Sequence, residues 1–162
     1  MAYQFVNVEK LDLNPSIGVG IKVPFDGPTG ITTLYTTQET IKSNLINYLL
    51  TGQKERVFNP TYGAGLSNYL FEPLTEETID AIKELITEGI SQNFEKIQIL
   101  ELKVGADEAN QSLKIYLNYT ITNTNIQDEL LISYGAVESV GENNVMNVIQ
   151  GTGDTFNTNR LL

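Results

Sequence analysis

An α+β fold, with two main helices packed on a small antiparallel sheet, follows from three features of this 162-residue chain. Two stretches, one after Thr36 and one after Thr75, carry apolar residues at helical spacing. A later stretch, 97–134, changes to strict alternation, the period of a strand with one buried face. Glycine and proline gather ahead of these stretches and between them.

Residues 1–36 read as an extended N-terminal segment. Pro15, Gly18, Gly20, Pro24, Gly27, Pro28 and Gly30 punctuate short apolar pieces such as Ile17–Val23, so short strands and turns are expected and no helical period survives. Thr36 with Glu39 three residues on has the pattern of a capping box, and Ile41, Leu45, Tyr48 and Leu49 form the buried stripe of the first helix. Gly52 reads as its C-terminal cap. The second helix starts at Thr75, with Leu74 placed to staple onto Ile79. Ile79, Ile82, Ile86 and Ile90 form its buried face, and Glu76, Glu77, Asp80, Glu84 and Glu88 face water. Its acidic first turn suits the positive end of the helix dipole. Between the helices, Arg56–Leu74 is loop-rich and holds a short apolar-aromatic piece, Leu66–Phe71.

Leu113, Ile115, Leu117, Tyr119 and Ile121 alternate with polar neighbours and make a half-buried strand. Leu100, Leu102 and Val104 make a second, joined to it through the loop Gly105–Gln111 as an antiparallel hairpin. Leu130, Ile132 and Tyr134 suggest a third. The organisation expected is an extended segment over 1–36, an α+β domain over 37–140 and a flexible polar tail over 141–162.

Composition removes whole classes of function. The chain has neither Cys nor His, so disulfides, thiolate nucleophiles, zinc-thiolate sites and imidazole bases are excluded. Twenty acidic residues against ten basic ones leave a net charge of -10, which repels phosphate backbones and anionic lipid. No apolar run approaches the roughly 18–20 residues of a membrane helix, and the N-terminus has no basic-then-apolar leader pattern. Neither nucleic acid nor membrane is expected as a partner, and the cytoplasm of the producing cell is the expected place of synthesis and assembly.

Paired carboxylates are the catalytic resource that remains. Glu55 and Glu72 lie in the loop-rich stretch, where a glycosidase would need two carboxyls held about 5–9 Å apart. The simpler reading is a solvated Glu55, with Glu72 pairing Arg56 or capping a helix. Gly18-Val19-Gly20 and Gly63-Ala64-Gly65 complete no phosphate-binding or dinucleotide pattern, and tight turns explain them. Asp107, Glu108 and Asn110 lack the ligand spacing of a calcium loop, so neither metal nor cofactor is expected. The strand around Ile115 is core first, but an uncovered edge there could accept a partner's strand.

Several runs together resemble one family. They are Ile17-Gly18-Val19-Gly20-Ile21-Lys22-Val23-Pro24-Phe25 with Gly30 and Thr36-Thr37, then Ile41–Thr51, then Glu55-Arg56-Val57-Phe58-Asn59-Pro60-Thr61-Tyr62-Gly63-Ala64-Gly65-Leu66, ending in Leu70-Phe71-Glu72-Pro73. Over about Ile17 to Tyr134 the chain resembles the baseplate wedge family, the sheath-initiator proteins of contractile-tailed phages, also called GPW-like or lysozyme-like baseplate proteins. Relatives often carry Arg two residues after the Gly-x-Gly turn or directly after the Glu-Pro pair, where this chain has Ser67 and Leu74.

The resemblance implies a structural subunit of the virion's tail baseplate, present in several copies, six by family expectation, and assembled in the host cytoplasm. Its implied partners are other baseplate wedge proteins, the tail sheath protein, and tube or hub proteins. Glu55, Arg56, Glu72 and Pro73 become the candidate wedge contacts. The strand residues Lys114, Tyr116, Asn118 and Thr120 become candidate sheath contacts, with sheath nucleation by β-strand exchange. An acidic, lysozyme-like hydrolase acting on peptidoglycan through Glu55 and Glu72 is the alternative that the family's other label implies.

Overall fold

The computed structural model describes residues 9–14, 16–23, 25, 30–69, 72, 73, 75–107, 112–122, 124, 126–135 and 147–149. In chain order they form a 3-10 turn at Lys10–Leu13, β1 (Gly20–Ile21), β2 (Thr33–Leu34) and α1 (Thr37–Leu50). A 3-10 turn at Leu66–Tyr69, α2 (Glu76–Asn93), β3 (Ile97–Asp107), β4 (Ser112–Ile121), β5 (Ile126–Gly135) and β6 (Asn147–Ile149) follow. The three long strands and the short β6 form one antiparallel sheet in the order β3-β4-β5-β6, with the helices on one face, and β1 and β2 make a separate small hairpin.

Both helices start where their caps place them. Thr36 is extended, its Oγ accepts the Glu39 N–H at 3.3 Å, and its O–H donates to the Glu39 carboxylate at 2.8 Å. Thr75 does the same work for α2, accepting the Thr78 N–H. The start of α1 is also tied to the N-terminal segment, because the Thr37 N–H and O–H both donate to Asp12 Oδ1 at 2.8 Å. Leu74, read as a staple residue, lies outside the described residues.

Helix α1 ends differently from the sequence expectation. Thr51 is the C-cap in an extended conformation, and Gly52 is not in the left-handed region. Gly52 donates its N–H to Glu55 Oε2 at 2.8 Å, so a side chain three residues on serves the chain as it leaves the helix. Gly18 and Gly20 are likewise not turn glycines. A Cβ on Gly18 would overlap the Thr33 side chain, and one on Gly20 would press on Thr40 of α1. They let the β1–β2 hairpin lie close on its own second strand and on the helix. Ser43 pins that hairpin, accepting the Val23 N–H and donating to the Ile21 carbonyl.

The core is the alternation of β4 set against the helix stripes. Leu113, Ile115, Leu117, Tyr119 and Ile121 are buried, as are Leu45, Ile46, Tyr48 and Leu49 of α1 and Ile82, Ile86 and Ile90 of α2. Each such aliphatic side chain contributes roughly 1.5–3 kcal/mol when withdrawn from water. Gly89 sets how closely the helices meet, since a Cβ there would overlap the Tyr48 hydroxyl. Tyr48 meets the rings of Tyr62 and Phe94 edge-on at 5.3 and 5.6 Å.

The sheet departs from simple alternation at two places. A bulge between Ile99 and Glu101 leaves Leu100 outside the pairing and 47% exposed, so Ile97, Ile99, Leu102 and Val104 face the core instead. One extra residue reverses every side chain on its far side. Asp128 sits opposite Tyr119 on the core side of β5, where it accepts from the Tyr119 hydroxyl at 3.2 Å and pairs with Lys42 of α1 at 3.3 Å. The hairpin between β3 and β4 is also longer than expected, with Asp107 paired to Ser112. Of the C-terminal stretch, 147–149 add to the sheet as β6, pairing with Leu131–Ser133, and the rest lies outside the described residues.

Candidate functional site

The connector from Thr51 to Tyr69 is built from turns. Gly52–Glu55, Arg56–Asn59 and Asn59–Tyr62 each close through a carbonyl-to-N–H bond at 3.1–3.3 Å, and the Lys54 N–H crosses to the Pro60 carbonyl at 2.9 Å. Lys54 takes φ 70, the left-handed geometry that a type II turn, unlike the commoner type I, places at its third position. Gly63 takes φ 107, and a Cβ there would lie 2.5 Å from the Thr51 carbonyl oxygen, so only glycine fits. The next two residues return to the helix end: the Ala64 N–H reaches the Tyr48 carbonyl at 3.1 Å, and the Gly65 N–H reaches that of Thr51 at 3.2 Å. Ala64 and Leu66 are buried as a result.

The four candidate wedge residues fall into two groups. Glu55 and Arg56 belong to the turns. Glu55 accepts from Gly52, and the Arg56 guanidinium lies 4.4 Å from the centroid of the Tyr62 ring. Burial pushes the Tyr62 phenol up, and the Arg56 charge pulls it partly back. Glu72 and Pro73 stand at the entry to α2 and are exposed. The Glu72 N–H donates to the Tyr69 carbonyl at 3.3 Å, and the Pro73 carbonyl accepts from the Thr75 N–H and the Thr78 hydroxyl. Among the described residues no ion pair joins Glu72 to Arg56. Ser67, at one of the substituted arginine positions, lies near the Tyr134 hydroxyl of β5, whose phenol is raised chiefly by burial. No cluster of acidic side chains able to hold a metal ion occurs among the described residues.

The four candidate sheath residues share one face. Lys114, Tyr116, Asn118 and Thr120 alternate with the buried residues of β4 and project from the side opposite the helices. Tyr116 donates to Glu129 Oε2 at 3.1 Å, with the Lys103 ammonium 5.9 Å from its ring centroid, and Thr120 donates to the Ile126 carbonyl. Both backbone edges of β4 are taken, by β3 on one side and β5 on the other. These four residues can therefore touch a partner only through side chains, and a strand from outside must pair at another edge.

Two exposed apolar residues escaped the sequence reading. Phe58 is 100% exposed and Val57 86%, at the two central positions of the Arg56–Asn59 turn. The available signal was an apolar pair inside a run of turn formers, Asn59-Pro60 and Gly63-Ala64-Gly65, where polar residues are usual.

Known proteins share this arrangement. The sequence model of the family described as baseplate wedge protein gp25 matches residues 36–126, more than half of the chain. No curated protein sequence is significantly similar. A Geobacter sulfurreducens protein described as a tail lysozyme superposes with a TM-score of 0.58 at 24% identity, over 67% of this chain and 99% of that one. A chain of the sixfold-symmetrised anti-feeding prophage baseplate superposes with a TM-score of 0.53 at 22% identity, over 63% of this chain and 83% of that one. At these identities the likeness speaks for the fold, while the family match covers both helices, the connector and the β3–β4 hairpin. The chain therefore belongs to the baseplate wedge protein gp25 family, structural proteins of the contractile-tail baseplate of the virion.

Proposed function

We propose that this baseplate subunit seats on neighbouring wedge proteins through the α1–α2 connector and the Glu72-Pro73 corner, and starts the sheath by accepting a strand at the outer edge of β5. It does so as a non-enzymatic component, in several copies around the baseplate axis, assembled in the host cytoplasm. Its working unit is the α+β domain over 37–140, with the segments on either side as appendages.

The observation that carries the strand-exchange reading is the distribution of free backbone in the sheet. Among the described residues, β5 is paired on its outer side only at Leu131–Ser133, so the backbone of Ile126–Leu130 is open to an incoming strand, apart from the Glu129 N–H held by Asp128 Oδ1 and the Ile126 carbonyl that takes the Thr120 hydroxyl. The opposite edge, β3, is guarded: the bulge at Leu100 interrupts its repeat, and an ion pair between Lys103 and Glu101 at 3.0 Å lies along it. Backbone bonds would supply the adhesion, and Gln127 and Glu129 on the polar face would set the register.

Amide hydrogen exchange on the folded chain, with and without the cognate sheath protein, tests the assignment. Protection is expected to rise within residues 126–130 on sheath addition. A rise confined to β3, or to the N-terminal β1–β2 hairpin, would place the exchange site there and overturn it.

A further inference from the structure

We infer that Val57 and Phe58 are the chain's apolar anchor, inserted into an apolar socket with an acidic rim on a neighbouring baseplate protein. The inference rests on the reading that the connector seats the subunit on the wedge, and it names the residues and the partner chemistry of that contact.

Among the described residues, no core contact uses the two side chains. Both are exposed beyond four-fifths, and neither takes part in the core or packs against it. The central positions of a β-turn ordinarily carry Pro, Gly, Asn, Asp or Ser, so an adjacent Val-Phe pair leaves apolar surface in water with no folding benefit. The turn holding them is braced from below. The Asn59 N–H closes it on the Arg56 carbonyl, and the Lys54 N–H clasps the Pro60 carbonyl across its base. The Arg56 guanidinium rests on Tyr62, whose ring stands against the buried Tyr48. A braced aromatic tip loses little conformational freedom on binding, which is what an anchor residue requires.

Charge selects the partner. Lys54, Glu55 and Arg56 are the only charged residues between Thr51 and Tyr69, and the Glu55 carboxylate is engaged by the Gly52 N–H. The tip thus carries two cations and one carboxylate, a local excess of one positive charge on a chain of net charge -10, and Lys54 is the cation not engaged in the brace. A socket lined with apolar side chains and bordered by carboxylates complements both features. The polar residues Glu55 and Arg56 act as the brace, and the apolar pair makes the contact.

The test uses the full chain and a wedge reconstituted from its purified cognate baseplate proteins. Phe58→Ser is expected to weaken wedge binding roughly tenfold or more, the effect of losing an aromatic anchor, while its thermal melt matches wild type. Lys54→Glu is expected to weaken binding at low salt, with the difference shrinking as salt is raised. A photocrosslinker at position 58 is expected to mark one partner, at a peptide mixing apolar and acidic residues. If wild-type chain does not bind the wedge, the seating reading itself falls. If wild type binds and Phe58→Ser binds equally, or melts early, or if position 58 crosslinks only to another copy of this chain, the anchor is wrong while the seating reading stands. A Lys54→Glu variant that binds like wild type at low salt removes the acidic rim.

Discussion

The sheet and the connector use opposite means to hold a shape. In β4 every second residue is buried, and the strand's position follows from where its apolar side chains must go. In the connector Ala64 and Leu66 are buried while Val57 and Phe58 are fully open, so burial alone does not decide the path. Its course is set by three turns, two glycines with positive φ and backbone bonds back to α1. A region shaped by side-chain burial has its apolar residues spent on the core. One shaped by its backbone can carry apolar residues outward, and here it does.

The largest expected effect tests the backbone half of that contrast. Gly63→Ala must accept φ 107 and a methyl 2.5 Å from the Thr51 carbonyl, which together cost roughly 4 kcal/mol. Denaturant unfolding should show it as a shift of midpoint without a change of slope. Leu117→Ala tests the burial half. Leu117 is fully buried in mid-strand, and its truncation should cost about 3 kcal/mol through lost transfer energy and a residual cavity. If Gly63→Ala proves milder than Leu117→Ala, the connector is more plastic than its turns imply, and the contrast breaks.

A smaller effect sharpens the picture at the seam between α1 and the sheet. Tyr119→Phe should cost about 1–2 kcal/mol, because Asp128 then loses a donor while remaining largely buried beside Lys42. Burial, reinforced by the charge of Asp128 and the hydrogen bond to it, raises the Tyr119 phenol above its usual 10.0. The folded state therefore holds that proton more tightly than the unfolded state. Its stabilising contribution is complete below about pH 10 and is lost as the pH climbs toward the folded value. Alkaline unfolding above pH 10 should be shallower in Tyr119→Phe than in wild type. An unchanged slope would assign the alkaline loss to the other tyrosines whose phenols are raised, Tyr48, Tyr62, Tyr116 and Tyr134.

What the sequence determined by itself was everything that depends on a repeating period or a local bond. The stripes of α1 and α2 and the alternation of β4 appear in the folded chain at the residues where the spacing puts them, because regular elements leave a periodic trace. Thr36 and Thr75 mark the helix starts, since a cap is a bond within four residues. The connector's glycines were legible as turns and its motif as that of a baseplate family, but its exposed tip was not.

Tertiary structure decided the rest. The bulge at Leu100 reversed the faces of β3, a choice made by pairing with β4 that no single-strand pattern records. Asp128, a carboxylate, faces the core because its partners, Lys42 and Tyr119, come from a helix 86 residues and a strand 9 residues away. The same holds for the free backbone. That β4 is enclosed and β5 partly open is a property of strand order, and strand order exists only once the chain has closed on itself.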